Sequence, residues 1–168
     1  ALAHATAPAF AITWADKKNN IAIHYMGSIP IRQKGDDGKS ILNGANGKHE
    51  YKGYLATKDN PHQYNPSSGI IVSANAWPPQ HKKNQWQGYW QSGQRFNRIT
   101  YLLEQKKRWN SNDLKLISND YYATAVRPII DIILPMISPK NQLEKQAWQQ
   151  LKKWNLVSDA DQVAPAIY

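Results

Sequence analysis

The chain has 168 residues, 41% of them hydrophobic and 20% charged, which is enough for a domain with a core and excludes disorder by composition. It contains no cysteine, which excludes disulfides, thiolate metal sites and cysteine nucleophiles within this sequence. The formal net charge is +9, but the basic residues occur in twos and threes, a pattern typical of a solvated surface. No apolar run reaches the length of a membrane span, and the Ala-rich start lacks the features of a signal peptide.

The first half of the sequence has the patterns of β-strands. Apolar and polar residues alternate in two runs, and the polar stretch 16–20 between them predicts a hairpin. A later loop, 35–48, is rich in glycine but lacks a phosphate-binding spacing. The predicted elements are, in chain order, strands over 10–14 and 21–26, extended pieces at 29–32 and 51–55, turns at Asn60-Pro61 and Asn65-Pro66, and an apolar strand over 69–74.

The second half has apolar residues at helical spacing. We predict one helix over 94–107, a second that begins after Ser111 as N-cap, and a third opened by a capping box of Asn141 and Glu144. The side chains predicted to face inward are Phe96, Ile99, Leu102, Leu103, Leu114, Ile117, Tyr121, Leu143, Ala147, Leu151 and Trp154.

Strands that precede helices indicate an α+β fold rather than an alternating α/β fold. No linker separates the two halves, so we predict a single segment over 1–168. It is strand-rich over 9–76 and helix-rich over 92–156.

Asn75 is the residue with the clearest chemical potential, because it ends the predicted apolar strand and a proline-containing loop follows it. A side-chain amide N–H at the rim of a sheet can stabilise a developing oxyanion without titrating. The alternative is structural, since asparagine at the end of a strand is also a common turn residue. By the residues alone, the structural role is the better supported of the two.

The order of motifs resembles the penicillin acylase family, also called penicillin amidases, which are N-terminal-nucleophile hydrolases. The resemblance runs from about residue 10 to about residue 122 and more loosely to the end. The matching pieces are Asn20-Ile21, Gly27-Ser28-Ile29-Pro30-Ile31-Arg32, Gly35, Tyr51-Lys52-Gly53, Asn60-Pro61, Tyr64-Asn65-Pro66-Ser67-Ser68-Gly69, Ala74-Asn75, Arg95, Arg98-Ile99 and Leu102-Leu103.

The resemblance implies a fold, an activity and two site residues. Family members are cut from one precursor into a smaller and a larger chain, and the larger (β) chain begins with a nucleophilic Ser whose α-amino group, with a reference pKa of about 7.7–8.0, is the base. The fold is a four-layer αββα sandwich. By position in its motif, Asn75 matches the oxyanion asparagine, and Arg95 matches an arginine that supports the nucleophile region through hydrogen bonds.

The resemblance also implies partners and a compartment. The remainder of the same precursor and a small amide substrate are the expected partners, with no membrane and no nucleic acid, and the family suggests a periplasmic or secreted protein. No organic cofactor is expected. A structural calcium is frequent in the family, but neither the loop around Asn43 nor Asn84-Gln85 offers its carboxylate and proline-carbonyl ligands, so we predict no metal within this segment.

The sequence departs from the family in ways that shape the expectation. It begins at Ala1, so we expect the nucleophile to lie outside it and the segment alone to be inactive. Its last residues read as unfinished, which also indicates a piece of the β-chain. Ala76 stands where the family has a second asparagine.

Other candidate groups are better explained structurally. The five histidines show no metal-ligand spacing, the side chains of Asp36 and Asp37 diverge, and Ser67-Ser68 has the context of a turn. The aromatic residues after Asn75 could line an acyl pocket or pack the loop onto the protein; they are Trp77, Trp86, Tyr89 and Trp90. Two alternatives to the hydrolase stay open: a basic Trp/Tyr-rich module that binds polyanions or single-stranded nucleic acid, and an inactive relative with a structural role.

Overall fold

The computed structural model describes residues 10–78 and 88–168. Its contacts divide the chain into two compact units, Ala1–Phe96 and Asn97–Tyr168. The prediction of a single segment over 1–168 stays a prediction. None of the helices in the described ranges is long and apolar enough to cross a membrane.

The first unit contains the predicted hairpin. Strand β1 (Phe10–Ala15) pairs antiparallel with β2 (Ile21–Met26), with Ile12 opposite His24. In the turn, the Asp16 carboxylate accepts hydrogen bonds from the backbone N–H groups of Lys18 and Asn20 at 2.8 and 3.0 Å. These bonds close the turn, and the hairpin predicted from the alternating pattern is confirmed.

A short strand that the sequence did not reveal completes this sheet. Strand β5 (His62–Tyr64) pairs antiparallel with the other edge of β2, so the strand order is β1-β2-β5. Only three residues long, β5 lies between the two predicted Asn-Pro turns, where no periodic pattern can be recognised. A separate ladder joins β3 (Pro30–Ile31) to β4 (Gly53–Tyr54), within the two predicted extended pieces.

Polar side chains fasten this sheet to its loops. Asn60 is 1% exposed and its amide Nδ2 donates to the backbone oxygens of Tyr25 and Gly27 at 2.9 and 3.0 Å. Asn65 accepts a hydrogen bond from the backbone N–H of Ile21 at 2.9 Å. Single-turn 3₁₀ helices occupy Gly44–Asn46 and Thr57–Asp59.

The strand predicted over 69–74 is wrong. Residues 70–73 belong to no helix or strand, and residues 74–76 form a bend. A β-branched apolar run becomes a strand only where a neighbouring strand supplies the ladder hydrogen bonds. The described part of the chain supplies none to this run, so its apolar pattern alone was not sufficient.

Helices dominate the rest of the chain, and their ends follow local hydrogen bonds. Helix α1 (Gln94–Glu104) ends three residues before the predicted bound, and the Trp109 indole N–H donates to the backbone oxygens of Leu103 and Lys106 at 3.2 and 2.8 Å. Helix α2 (Ser111–Ser118) is capped by Asn110 rather than by the predicted Ser111, in a capping box with Asp113. The hydrogen bonds of this capping box satisfy backbone N–H groups at the start of α2 that would otherwise lack a partner.

The second unit is built around one apolar cluster. Helix α3 (Val126–Ile133) leads into a 3₁₀ turn (Leu134–Met136), and helices α4 (Gln142–Lys153) and α5 (Ala164–Ile167) follow. The buried residues of the cluster are Val126, Ile130, Trp154, Leu156 and Ala164.

The predicted inward positions are only partly correct. The predicted cap Asn141 accepts from the backbone N–H of Glu144 at 3.0 Å, and Trp154 is buried. Leu114 and Tyr121 are instead exposed, and Leu143 is 76% exposed. Helical spacing identifies a possible face, but the neighbours available to cover it decide burial.

Candidate functional site

The candidate site lies in the first unit, at the bend that carries Asn75. Asn75 is exposed and has φ +58°, in the left-handed region that asparagine tolerates better than most residues. Ala74, beside it, is buried, so the backbone is anchored on one side of the exposed amide. Asn75 is therefore placed by a bend and not by the end of a strand.

Arg95 reaches this bend from the first turn of α1. Its guanidinium Nη1 donates to Oδ1 of Asn75 at 3.3 Å. A second contact fixes the backbone, because the N–H of Gln91 donates to the carbonyl oxygen of Asn75 at 2.9 Å. The structure thus brings together Asn75 and Arg95, the two residues singled out from the sequence.

This arrangement has a defined chemical capability. Because Arg95 occupies the acceptor side of the Asn75 amide, the Nδ2 donor side is directed elsewhere. Among residues 10–78 and 88–168, Nδ2 donates no hydrogen bond. A neutral N–H donor of fixed orientation is suited to a negatively charged oxygen that develops during a reaction.

An aromatic group lies next to the bend. Trp77 stacks on Trp90 with ring centroids 5.6 Å apart. Trp90 makes an edge-to-face contact with Tyr25, with ring centroids 6.3 Å apart. Burial raises the pKa of the Tyr25 hydroxyl, so this phenol stays neutral near neutral pH. The side chain of Trp77 is 44% exposed. Tyr89 lies against the 35–48 loop instead, where its hydroxyl donates to the backbone carbonyl oxygen of Lys39 at 3.3 Å. The fourth aromatic residue considered from the sequence, Trp86, is outside the described residues.

The remaining polar candidates have local partners. The Asp36 carboxylate accepts from Nδ1 of His49 at 3.0 and 3.1 Å, and the hydroxyl of Ser68 contacts the backbone of Ile70. The rings of His24 and His62 stack with their centroids 5.6 Å apart. In residues 10–78 and 88–168, no group of three or more His, Asp or Glu side chains could hold a metal ion.

The two positions considered for calcium are Asn43 and Asn84-Gln85. The side-chain oxygen of Asn43 accepts a hydrogen bond from the backbone N–H of Ala45 and caps the 3₁₀ turn. This oxygen is therefore already engaged by the backbone. Asn84-Gln85 is outside the described residues. Within the described residues, the loop around Asn43 does not fit a calcium site, and for the segment as a whole the absence of a metal stays a prediction.

Two residues that support the site were missed from the sequence. Gln91 acts through its backbone N–H, which every residue except proline has, so no sequence signal could identify it. Asn60 begins an Asn-Pro turn, but it is buried and its amide binds the carbonyl oxygens of Tyr25 and Gly27, which lie more than thirty residues away in the sequence.

Comparisons with known proteins agree with the resemblance. The family model described as penicillin amidase matches residues 1–168. Penicillin G acylase of Escherichia coli is 36% identical over 104 residues, an alignment that covers 60% of this chain and 12% of that protein. In structure, the chain is similar to a thermostable penicillin G acylase from Alcaligenes faecalis, with a TM-score of 0.65 and 25% identity over 93% of this chain and 29% of that one.

These findings confirm the α+β class, with antiparallel strands and several helices in the fold of the penicillin acylases. The chain spans less than a third of the length of either relative. It therefore corresponds to a segment of larger proteins.

Proposed function

Because this chain belongs to the penicillin amidase family, a family of hydrolases, we propose that it is a segment of an acylase that cleaves linear amides. The nucleophile in this proposal is an N-terminal serine outside residues 1–168. The segment contributes Asn75 as the oxyanion donor and Arg95 as the residue that orients it. The remainder of the same precursor supplies the serine, and the compartment proposed from the family is the periplasm or the exterior.

In the proposed reaction, the serine Oγ attacks the amide carbonyl carbon while the serine's own α-amino group takes the hydroxyl proton. The carbonyl π electrons move to oxygen, and the amide Nδ2–H of Asn75 donates to this oxyanion. The intermediate collapses, the C–N bond breaks, and the leaving amine takes the proton from the α-ammonium group. Water then attacks the acyl ester by the same route and releases the acid.

The observation that carries the proposal is the hydrogen bond from Arg95 Nη1 to Asn75 Oδ1. An isolated asparagine amide can rotate by 180° and present either oxygen or nitrogen to a ligand. The guanidinium has only donors, so it binds the oxygen end and leaves the nitrogen end for an anion. A turn asparagine with a purely local role needs no such partner twenty residues away.

The proposed chemistry requires a substrate with a linear amide. A β-lactam with an acyl side chain and an acyl-homoserine lactone both contain the linear amide that this chemistry requires. The exposed face of Trp77, two residues after Asn75, suits an apolar part of either substrate. No organic cofactor enters any step.

The first test is to express the full-length precursor and determine the intact mass and N-terminal sequence of its products. Two chains, the larger beginning with Ser upstream of Ala1, are expected. Hydrolysis of a chromogenic anilide is then measured for Asn75→Asp, which keeps the side-chain shape and the acceptor for Arg95 but replaces the donor by a charged oxygen. We expect kcat/KM to fall by about 10²–10³-fold.

Asn19→Asp is the matched control, because Asn19 also has positive φ and lies in the β1–β2 turn. It should leave kcat/KM unchanged. One uncut chain, or an Asn75→Asp enzyme as active as the Asn19→Asp enzyme, would contradict the proposal.

A further inference from the structure

The position of Asn75 depends on a second backbone segment, 88–91, that is neither helix nor strand. The only described backbone hydrogen bond to the carbonyl of Asn75 comes from Gln91, and Trp90 in the same segment stacks on Trp77. A segment without regular structure has no ladder or helical bonds to hold it. Contacts with another part of the chain must therefore hold the segment 88–91 if Asn75 is to keep its orientation.

The loop after β3 provides that support. The backbone N–H of Gly88 donates to the carbonyl oxygen of Asp37 at 2.8 Å, and the hydroxyl of Tyr89 donates to the carbonyl oxygen of Lys39 at 3.3 Å. Tyr89 is 80% exposed, so apolar burial is not what keeps it there. Gly88 has φ +111°, a conformation that glycine adopts without strain.

A part-buried pair of hydrogen bonds in turn closes this loop. Asp36 is 8% exposed, and its carboxylate accepts from Nδ1–H of His49, thirteen residues along the chain. Gln33 closes the base of the loop by donating from Nε2 to the carbonyl oxygen of Glu50 at 2.8 Å. The carboxylate of Asp37 accepts from the N–H of Lys39, which sets the local turn. We refer to Asp36, Asp37, Lys39 and His49 as the loop clamp.

We propose that the loop clamp is a positioning device for the reaction: it holds the segment 88–91, and this segment holds the Asn75 amide at the oxyanion. His49 is a positioning residue, because it acts through Asp36 and the segment rather than on the substrate. The inference rests on the proposed function of Asn75. It assigns a catalytic consequence to a carboxylate–imidazole hydrogen bond that otherwise has only a structural role.

The first experiment uses the processed full-length enzyme and compares His49→Ala with His49→Asn, whose amide keeps a donor near the position of Nδ1. We expect His49→Ala to lower kcat by roughly 10- to 100-fold, because a small displacement of a catalytic group is costly. KM should stay nearly constant, since the lost interaction is made in the transition state. His49→Asn should recover most of kcat. An unchanged kcat for His49→Ala, or no recovery in His49→Asn, overturns the proposal.

A second experiment separates positioning from a general structural effect. His49→Ala is combined with Asn75→Gly, which removes the amide and keeps the left-handed backbone. If His49 acts through Asn75, its replacement costs almost nothing in the Asn75→Gly background, because residues that act as one unit are not additive. A full additional loss would overturn the clamp but not the role of Asn75. If Asn75→Gly itself keeps full activity, the proposed function fails first.

If the His49→Ala precursor fails to process, a third pair of variants tests the same proposal. Gly88→Ala and Gly47→Ala each place a Cβ at a residue with positive φ, and neither added carbon meets an atom within 4 Å. Both strain the backbone, but only Gly88 contacts the loop clamp. Gly88→Ala should lower kcat while Gly47→Ala does not. Equal kcat values in the two variants would overturn the proposal.

Discussion

Different kinds of interaction stabilise the interior of each of the two units. In the second unit, the buried residues form one apolar cluster, and Arg98 and Asp120 form a part-buried ion pair elsewhere in the same unit. In the first unit, two of the buried side chains, Asp36 and Asn60, are polar: Asp36 joins two parts of a loop through His49, and Asn60 binds the backbone at the end of β2. The candidate site lies in the unit whose interior contains directional bonds.

This difference has a physical consequence. Hydrophobic burial is non-directional, so an apolar cluster tolerates small shifts at the cost of some free energy. Hydrogen bonds weaken steeply with angle and distance, so they define where a group such as the Asn75 amide lies. Changes in the apolar cluster of the second unit should therefore alter stability, whereas changes to the exposed contacts around Asn75 in the first unit should alter activity at nearly constant stability.

The largest expected effect is on stability in the second unit. Trp154→Ala removes a buried indole and its hydrogen bond to the Val157 carbonyl oxygen, and should lower the free energy of unfolding by about 3–5 kcal/mol. Thermal unfolding of the intact protein measures this change. Activity per folded molecule, from active-site titration, should be unaffected; a matching loss of kcat would mean that the comparison between the units is wrong.

The next largest effect is on activity in the first unit. Arg95→Ala frees the Asn75 amide to rotate, and kcat/KM should fall by about 10²-fold, or ~2.7 kcal/mol. Arg95→Lys keeps a cationic donor and should recover part of the loss. Because Arg95 is exposed, the melting temperature should change little. Wild-type kinetics for Arg95→Ala would show that the amide is oriented without it.

A smaller effect is expected at the buried amide of Asn60. Asn60→Ala leaves the carbonyl oxygens of Tyr25 and Gly27 without this donor and should cost about 1–3 kcal/mol. Asn46→Ala is the exposed comparison, since Asn46 makes one local bond to Lys48, and it should stay within about 0.5 kcal/mol. Equal unfolding midpoints for both variants would show that burial of the Asn60 amide carries no energetic weight.

The smallest effect is a pH dependence at the start of α2. The hydrogen bond from Lys106, aided by that from the Asn110 N–H, lowers the pKa of Asp113 below its ordinary value. A lowered folded-state pKa stabilises the fold above the ordinary aspartate value of about 3.9 and loses this contribution as the pH falls below it. An NMR titration of the Asp113 carboxyl checks the direction, and Lys106→Gln should raise that pKa. No change in Lys106→Gln would remove Lys106 as the main cause.

Local patterns predicted much of the fold. Alternation identified β1 and β2, and the polar turn between them predicted the hairpin. Asn141 was identified as a helix cap because its side chain bonds to a residue three positions along the same chain. Such features depend on neighbours in sequence, so they can be read without the tertiary structure.

Other features could not be obtained in this way. The apolar run before Asn75 looked like a strand, but a strand needs a partner, and the described chain places none beside it. The cap of α2 was misplaced by one residue, because both Asn110 and Ser111 can accept the required bonds and the geometry selected Asn110. Leu114 and Leu143 have the spacing of core residues, yet no neighbour in the second unit covers them.

By itself, the sequence determined the α+β class and the family, because residue order and spacing carry that information directly, and it predicted two site residues, Asn75 and Arg95. Only the tertiary structure decided how these residues are held. It joined Arg95 to the oxygen of the Asn75 amide, brought Gln91 to its carbonyl, and paired Asp36 with His49. These contacts join residues thirteen to twenty positions apart, and their geometry depends on the whole path of the chain between them.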